Sequence, residues 1–266
     1  MIAWYSDHFI SQKVMLRHAA TGWRIPARHT TLFNKETRDK FKEEALLYGI
    51  LRGCSDIIHF LFKNGIDYLH IDHGYVGRSK NNMFNGYYRI SLNDTQAHYK
   101  DVKLPSERAK KLDITLKDWQ DNEHGLILII PPSPAMEVFY GINIEDWVKT
   151  TIKKIGGHPH KVRTKVDPIP LEDDLKNAKC VITFNSNTAL DAVLAGIPAI
   201  ATSQHSVVRD WNKLTMSNVH DCYEKSIGLD RSKLLNFISY HQFTLDEMEK
   251  GIAAAIIKEM RKENVY

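Results

Sequence analysis

Three short constellations in the sequence carry residue types that chemistry needs. In Leu171–Thr202 (LEDDLKNAKCVITFNSNTALDAVLAGIPAIAT), the apolar run Cys180–Phe184 leads straight into the polar turn Asn185-Ser186-Asn187. A helical pattern from Thr188 and a Gly-Ile-Pro stop follow. A polar turn between a parallel strand and the next helix lies at the carboxyl edge of the sheet, where open α/β folds bind ligands. The first amides of that helix, with side-chain donors from Asn185, Ser186, Asn187 and Thr188, suit a phosphate. Asp191, one turn further in, is short enough to accept from a ribose or to close a local cap. Plain helix capping accounts equally well for Ser186 or Asn187.

The second constellation is Asp72-His73-Gly74-Tyr75 with Arg78 and Arg89 downstream. An acceptor hydroxyl must lose its proton as it attacks, and a carboxylate or imidazole within hydrogen-bond reach takes it. Asp72 and His73 both qualify, although a turn-forming acid and a core histidine would look the same. Arg78 and Arg89, with Tyr75 beside them, are candidates for the phosphate or acceptor, since fixed cations can neutralise a departing diphosphate without a metal. The third is His158-Pro159-His160-Lys161, where the two histidines share a side if the segment is extended. No third and fourth zinc ligand stands nearby. A phosphate or base contact through His158 and Lys161 is the functional reading, and a polar loop the plain one.

Two basic stretches surround these groups. Arg17–Lys40 interleaves Trp23 with Arg24, Arg28 and His29, so that Arg24 and Arg28 can hold phosphates while the indole stacks on a base; a solvated face plus one core tryptophan is the plainer account. Lys153–Lys165 is the second. No G-x-x-x-x-G-K-[ST], no G-x-G-x-x-G after a strand and no G-x-S-x-G is present, which disfavours P-loop ATPases, dinucleotide dehydrogenases and α/β-hydrolases. Asp173-Asp174 does not make a D-x-D metal site, and no metal is expected.

The block AKCVITFNSNTALDAVLAGIPAIA resembles the nucleotide-sugar-binding strand–turn–helix of GT-B glycosyltransferases of the capsule polysaccharide and Kdo-transferase type. In that pattern the acidic residue linked to the donor nucleoside falls on Asp191. His158-Pro159-His160-Lys161 is similar to the K/R-P-H-P segment of the same proteins, with its order altered. IDHGYVGR (Ile71–Arg78), YYRISLN (Tyr87–Asn93) and QFTLDEMEKG (Gln242–Gly251) look like a family of short phage-encoded GT-B-like proteins. The resemblance implies a metal-independent glycosyltransferase that binds no cofactor and uses a nucleotide-sugar, a UDP-sugar first. Its lead acceptor is a 5-hydroxymethylpyrimidine in DNA. A capsule or lipopolysaccharide acceptor, or a non-catalytic nucleotide- or nucleic-acid-binding module, is the alternative.

The elements that must position these groups follow from pattern. Ile2–Tyr5, Asp67–Asp72, Leu126–Ile130, Cys180–Phe184 and Pro198–Ala201 read as buried strands. Helical patterns cover Ser6–Gly22, Glu36–Tyr48, Ser55–Asn64, Asn143–Ile155, Leu171–Asn177, Thr188–Gly196 and Thr244–Arg261. The alternation predicts an α/β, GT-B-like chain: two small Rossmann-type domains with parallel sheets facing a cleft. Residues 1–110 would form the acceptor-side domain, 111–124 a charged connection and 125–266 the donor domain, with Gln242–Arg261 crossing back toward the first. With 266 residues, 43% apolar and 26% charged, the chain can bury two cores and is neither disordered nor fibrous. The formal charge is +4, mildly basic. Three cysteines without C-x-x-C spacing, no signal-peptide pattern and no 20-residue apolar run point to the cytoplasm.

Overall fold

The computed structural model describes residues 1–6, 10–78 and 82–265. It divides into two compact units, residues 1–97 with 238–266, and residues 98–237.

The first unit is built on six strands: β1 (Ile2–Tyr5), β2 (Ala27–His29), β3 (Ala45–Tyr48), β4 (Tyr68–His73), β5 (Tyr87–Leu92) and β10 (Gln242–Thr244). Their order is β10-β5-β4-β3-β1-β2. β2, β1, β3 and β4 run parallel, whereas β5 pairs antiparallel with β4 and β10 antiparallel with β5. The sheet is thus parallel except at one edge. Alternate residues Ala3, Leu46, Leu69, Ile71 and Ile90 face the helix Ile10–Trp23 and bury Met15, Leu16 and Ala19 against it. On the opposite face Trp4 packs edge-on to Phe33 and Phe41. The first turn of the helix expected from Ser6 lies outside the described residues.

Two elements differ from the sequence expectation. Glu36–Tyr48 was expected as one helix; it begins inside a short helix, Lys35–Arg38, and ends in the central strand β3. Ala-Leu-Leu-Tyr has helix-forming residues, but seated between β1 and β4 it is buried on both faces, and that burial overrides local propensity. The expected helix Thr244–Arg261 is two helices, Leu245–Glu249 and Ile252–Lys262, broken at Gly251, whose φ is +77°. Arg261 at the end of the second helix pairs with Glu44 and Asp67 at 2.8 Å. The last 29 residues therefore belong to the first unit, because β10 extends its sheet and Phe243, Leu245, Met248 and Ile257 fill its core.

The second unit has a four-stranded parallel sheet in the order β7-β6-β8-β9, formed by β6 (Leu126–Ile130), β7 (His160–Val162), β8 (Ala178–Thr183) and β9 (Ala199–Ala201). Ile127, Ile129, Cys180, Ile182 and Ile200 form one buried face against Ile155, Leu214, Val219 and Cys222. The helix Thr188–Leu194 buries Ala189, Leu190, Ala192, Val193 and Leu194.

The charged segment expected as a connection docks on this unit. Lys117 N donates to Leu194 O, Gln120 N to Gly196 O, and Gln120 Nε2 to Ala195 O at 3.0 Å. The Arg231 guanidinium lies 4.3 Å from the Trp119 ring centre. Gly196 has φ +84°, and a Cβ there would be driven onto the Asp118 carbonyl. Gly196→Ala should therefore cost more than the ~1–2 kcal/mol of left-handed backbone alone, with overpacking adding ~1–3 kcal/mol. Gly156→Ala, equally left-handed but in open space, should show only the smaller loss in urea unfolding.

Candidate functional site

At the carboxyl end of β4 the sequence Asp72-His73-Gly74 meets the start of β5. Gly74 N donates to Tyr87 O at 2.8 Å, and a Cβ at residue 74 would stand 2.6 Å from that oxygen, so glycine alone fits. Asp72 is opposite Arg89 in the strand pairing. Its Oδ2 accepts from Arg89 Nη2 at 2.7 Å, and its Oδ1 accepts from His73 N at 2.8 Å. Burial pushes the Asp72 carboxyl up, but the Arg89 guanidinium, His70 and the His73 amide and ring together outweigh it and hold the group below the usual range.

Arg89 is 5% exposed. Its remaining donors reach Thr95 O at 3.0 Å and His73 O at 3.2 Å, and it lies over the Tyr75 ring at 5.6 Å. It is therefore committed inside the protein and does not stand at the surface as a phosphate ligand. Tyr75 is fully buried, with its hydroxyl accepting from Ala97 N at 2.8 Å, and burial lifts its pKa to about 12. It supports the arginine and presents no surface to an acceptor. His70, two residues before Asp72 and on its face, is kept neutral by burial at a pKa of about 4.

His73 points the other way and is exposed. Its ring stacks beside Tyr88 (6.1 Å, 27°), and Nε2 stands 3.4 Å from the Tyr48 hydroxyl. Burial first, then the Asp72 charge, raises the Tyr48 pKa, so Tyr48 remains a phenol that can donate. Tyr48 carries no sequence signal of its own, because Ala-Leu-Leu-Tyr suits the helix expected over Glu36–Tyr48 as well as it suits a strand. Once Ala45–Tyr48 is a strand, its last residue ends beside His73. Gln12 Nε2 ties this edge to the next helix by donating to Tyr48 O at 3.1 Å and approaching Cys54 Sγ at 3.5 Å.

Arg78 is exposed beyond Gly77. Arg24 follows the helix Ile10–Trp23 with φ +55° and precedes β2, so it lies at the amino edge of the sheet. Arg28 is exposed on β2, three strands from β4. Neither joins Asp72 and His73. Trp23 packs against the core.

In the second unit, Asn185–Thr188 follows β8 at the carboxyl edge. Asn185 is buried, with Nδ2 3.8 Å from Met136 Sδ. Ser186 N donates to Thr183 Oγ1 at 3.2 Å, and Ser186 Oγ accepts from Thr188 N at 3.2 Å while lying 3.0 Å from Thr188 Oγ1. Ser186 thus caps the helix as well as shaping the turn. Asn187 precedes the first helical residue, and Asp191 is half-buried one turn in. Further groups that the sequence did not single out gather at the same edge: Tyr140 stacks on His205 (4.8 Å, 25°) and meets Phe184 edge-on, and Trp147 Nε1 donates to Thr202 Oγ1 at 2.9 Å.

His158 and Lys161 are not part of this cluster. His158 precedes β7, whose first residue pairs with Ile127, whereas the Asn185 turn follows Thr183, paired with Ile130. His158 and the turn lie at opposite edges of the sheet, about 23 Å apart at the usual rise per strand residue, and Lys161, paired with Leu128, stands mid-strand on β7. His158 stands against His220 at 5.1 Å, and burial with Lys179 lowers its pKa. Lys161 pairs with Asp167 at 3.1 Å and Asp174 at 3.0 Å, and Arg163 pairs with both acids as well. Among the described residues no group of three His, Cys, Asp or Glu side chains is arranged to hold a metal ion, and no helix is long and apolar enough to cross a membrane.

No protein-family model matches the chain, and no curated protein matches it. Among solved structures, KpsC, beta Kdo 2,4 transferase, of Thermosulfurimonas dismutans is similar over 97% of this chain and 98% of its own, at 10% identity and a TM-score of 0.51. The beta Kdo 2,7 transferase of the same organism's KpsC has 12% identity and a TM-score of 0.49 over 96% and 99%. The glycotransferase of kitacinnamycin has 9% identity and a TM-score of 0.30 over 98% and 75%. The first likeness establishes the fold: an α/β chain with two parallel-rich sheets of GT-B-like type.

Asp72 has its folded pKa below the unfolded value of about 3.9. The stability it contributes is therefore present above that value and lost as pH falls through the folded pKa. Arg89→Met should cost about 2–4 kcal/mol at pH 7, because it strands a part-buried carboxylate. The gap from the parent protein should narrow in urea unfolding below about pH 4.

Proposed function

We propose that the protein is a glycosyltransferase that moves a sugar from a nucleotide-activated donor to a hydroxyl acceptor. The carrying observation is the fold likeness, over nearly the full length of both chains, to a beta Kdo 2,4 transferase. Polar side chains at the carboxyl ends of strands in each sheet supply groups for the reaction. The Asn185–Thr188 turn and Asp191 serve the donor, and a UDP-sugar is the first to try, beside CMP- and GDP-linked sugars.

Between the two candidate bases, the surroundings favour His73. Both Asp72 oxygens already accept hydrogen bonds, and Arg89 weakens the carboxylate as a base by stabilising its charge. The His73 imidazole is exposed, with Tyr48 beside Nε2. Asp72 then acts through the backbone: its Oδ1 receives the His73 amide and fixes the direction in which the ring leaves the strand. Arg78 remains a candidate for the diphosphate or acceptor, whereas Arg89 and Tyr75 hold the site together from within.

A glycan acceptor is favoured over the 5-hydroxymethylpyrimidine of DNA by one observation. In the Lys153–Lys165 stretch that would attract phosphates, Lys161 and Arg163 are neutralised by Asp167 and Asp174.

A thermal-shift panel of UDP, CMP, GDP and their sugars should show one family raising Tm, since ligand bound to the native state stabilises it by RT ln(1 + [L]/Kd), about 2.7 kcal/mol at 100 times Kd. With the responding donor, His73→Ala should lower transfer at least about 100-fold while the donor-induced shift persists. Asp191→Asn should weaken the shift, and His158→Ala should leave it unchanged. A panel with no shift, or full transfer by His73→Ala, overturns the assignment. Mass analysis after incubation with glycan and with 5-hydroxymethyl DNA separates the two acceptors.

A further inference from the structure

The three cysteines of the chain, Cys54, Cys180 and Cys222, are free thiols and fully buried. Neither candidate site uses their chemistry, and their surroundings differ. Cys54 stands alone at the start of the helix Cys54–Lys63 in the first unit, where Gln12 Nε2 lies 3.5 Å from its Sγ and burial pushes its pKa up to about 12. Cys180 and Cys222 are 42 positions apart in sequence, yet they share one core in the second unit. Cys180 belongs to β8, and Cys222 opens the helix Cys222–Ser226, which packs on that strand. Their thiols are hydrogen-bond partners of each other. The other buried members of that core are aliphatic, so the reactive neighbour of each sulfur is the other sulfur.

The pair is chemically unequal. Their shared hydrogen bond favours the thiol at Cys180 and the thiolate at Cys222, and the Lys179 charge favours the thiolate further. A thiolate beside a second cysteine that can resolve it is the arrangement redox-active thiols use. Burial would shield both sulfurs in a rigid core, but the segment carrying Cys222 is weakly held. Its helix has five residues and no side-chain cap, and the preceding Asp221 buries Oδ1 without a hydrogen-bond partner. So short a helix is not stable alone. An unpaired buried oxygen costs free energy that is recovered when the segment opens to water. Local opening, without global unfolding, can therefore bring the Cys222 sulfur to a small oxidant.

We propose that Cys180 and Cys222 close a reversible disulfide in response to a hydroperoxide, forming a redox-sensitive clamp between β8 and the helix Cys222–Ser226. With hydrogen peroxide, the Cys222 thiolate attacks the O–O bond and keeps one oxygen as a sulfenic acid, while the other leaves as hydroxide and takes a proton to become water. The Cys180 sulfur then displaces the sulfenic hydroxyl, which departs with the Cys180 proton as a second water. Two thiols thus lose two electrons and the peroxide gains them. β8 is also the strand that ends in the Asn185–Thr188 turn, but the clamp does not rest on any function of that turn.

The test treats the full chain, reduced and then freed of reductant, with hydrogen peroxide in native buffer. Thiols titrated afterwards in urea should fall from three to one. The intact mass should drop by about 2 Da for the two hydrogens lost. Digestion without reductant should yield one peptide pair, joining Cys180 to Cys222, and dithiothreitol should restore all three thiols. Closing so long a loop should raise Tm of the oxidised protein by at least about 5 °C. Cys54→Ser should behave like the parent, whereas Cys222→Ser should show neither the bridge nor the rise in Tm. Should Cys222→Ser fail to fold, the peptide map of the parent decides alone. Three thiols surviving the peroxide, a bridge through Cys54 or between chains, or a mass gain from added oxygen overturns the proposal. So does a bridge that forms only in unfolding concentrations of urea. A bridge that leaves Tm unchanged overturns the clamp.

Discussion

The guanidinium of Arg89 is the charge on which the first unit's candidate site depends. A buried arginine is tolerable only if every donor has a partner, because an uncompensated ion in a low-dielectric interior costs several kcal/mol. Here the partners come from separate parts of the chain: the Asp72 carboxylate and the His73 carbonyl on β4, the Thr95 carbonyl after β5, and the Tyr75 ring. Satisfying one cation thus fixes the end of β4, the path of the chain after it and the return of residues 94–97. Asp72 is drawn inward. By the alternation of a strand, His73 must then face the opposite way, toward Tyr48 and Tyr88. The exposed imidazole and the buried ion pair are two results of the same geometry.

Strands with buried β-branched runs were legible in the sequence because burial on both faces leaves a continuous apolar signal, as in Leu126–Ile130 and Ala178–Thr183. Ala45–Tyr48 was not, because Ala and Leu serve a helix as well as a strand over four residues and only the neighbours β1 and β4 decide. β2, β7 and β10 have three residues each, too few for a period to show, whereas the equally short β9 was legible because Ala199–Ala201 is wholly apolar and buried. The same reasons govern the site. Asp72 and His73 end a readable strand and were found; Tyr48 ends an unreadable one and was missed. Tyr140 and His205 are 65 positions apart, and nothing local announces that they stack.

His158 and Lys161 show a different limit. Spacing along a segment tells which side chains share a face, yet the edge of the sheet to which they belong depends on strand direction and register. β7 is parallel to β6, so the residues before it are at the amino edge, with the whole strand between them and the Asn185 turn. Charge counting has a similar limit. A net +4 says nothing about which cations are engaged. Lys161 and Arg163 sit in a basic stretch and are held by two aspartates.

As a donor site, the proposed Asn185–Thr188 turn would work by shape more than by field. The helix behind it has seven residues, and a helix dipole acts mainly through the unpaired amides of its first turn. Two of those amides are already bonded within the turn, Thr188 N to Ser186 Oγ and Ala189 N to the Ser186 carbonyl. A phosphate there would depend on the few donors that remain being rigidly aimed, and rigidity comes from both ends of the helix. At its start, Thr183 Oγ1 holds the Ser186 amide. At its end, residues 117–120 bond to Leu194, Ala195 and Gly196, and Gly196 is the residue that lets the Asp118 carbonyl approach. The segment that composition marked as a charged connection is therefore a brace for the turn, and its length and polarity follow from having to cross the helix end by backbone hydrogen bonds with few large apolar contacts.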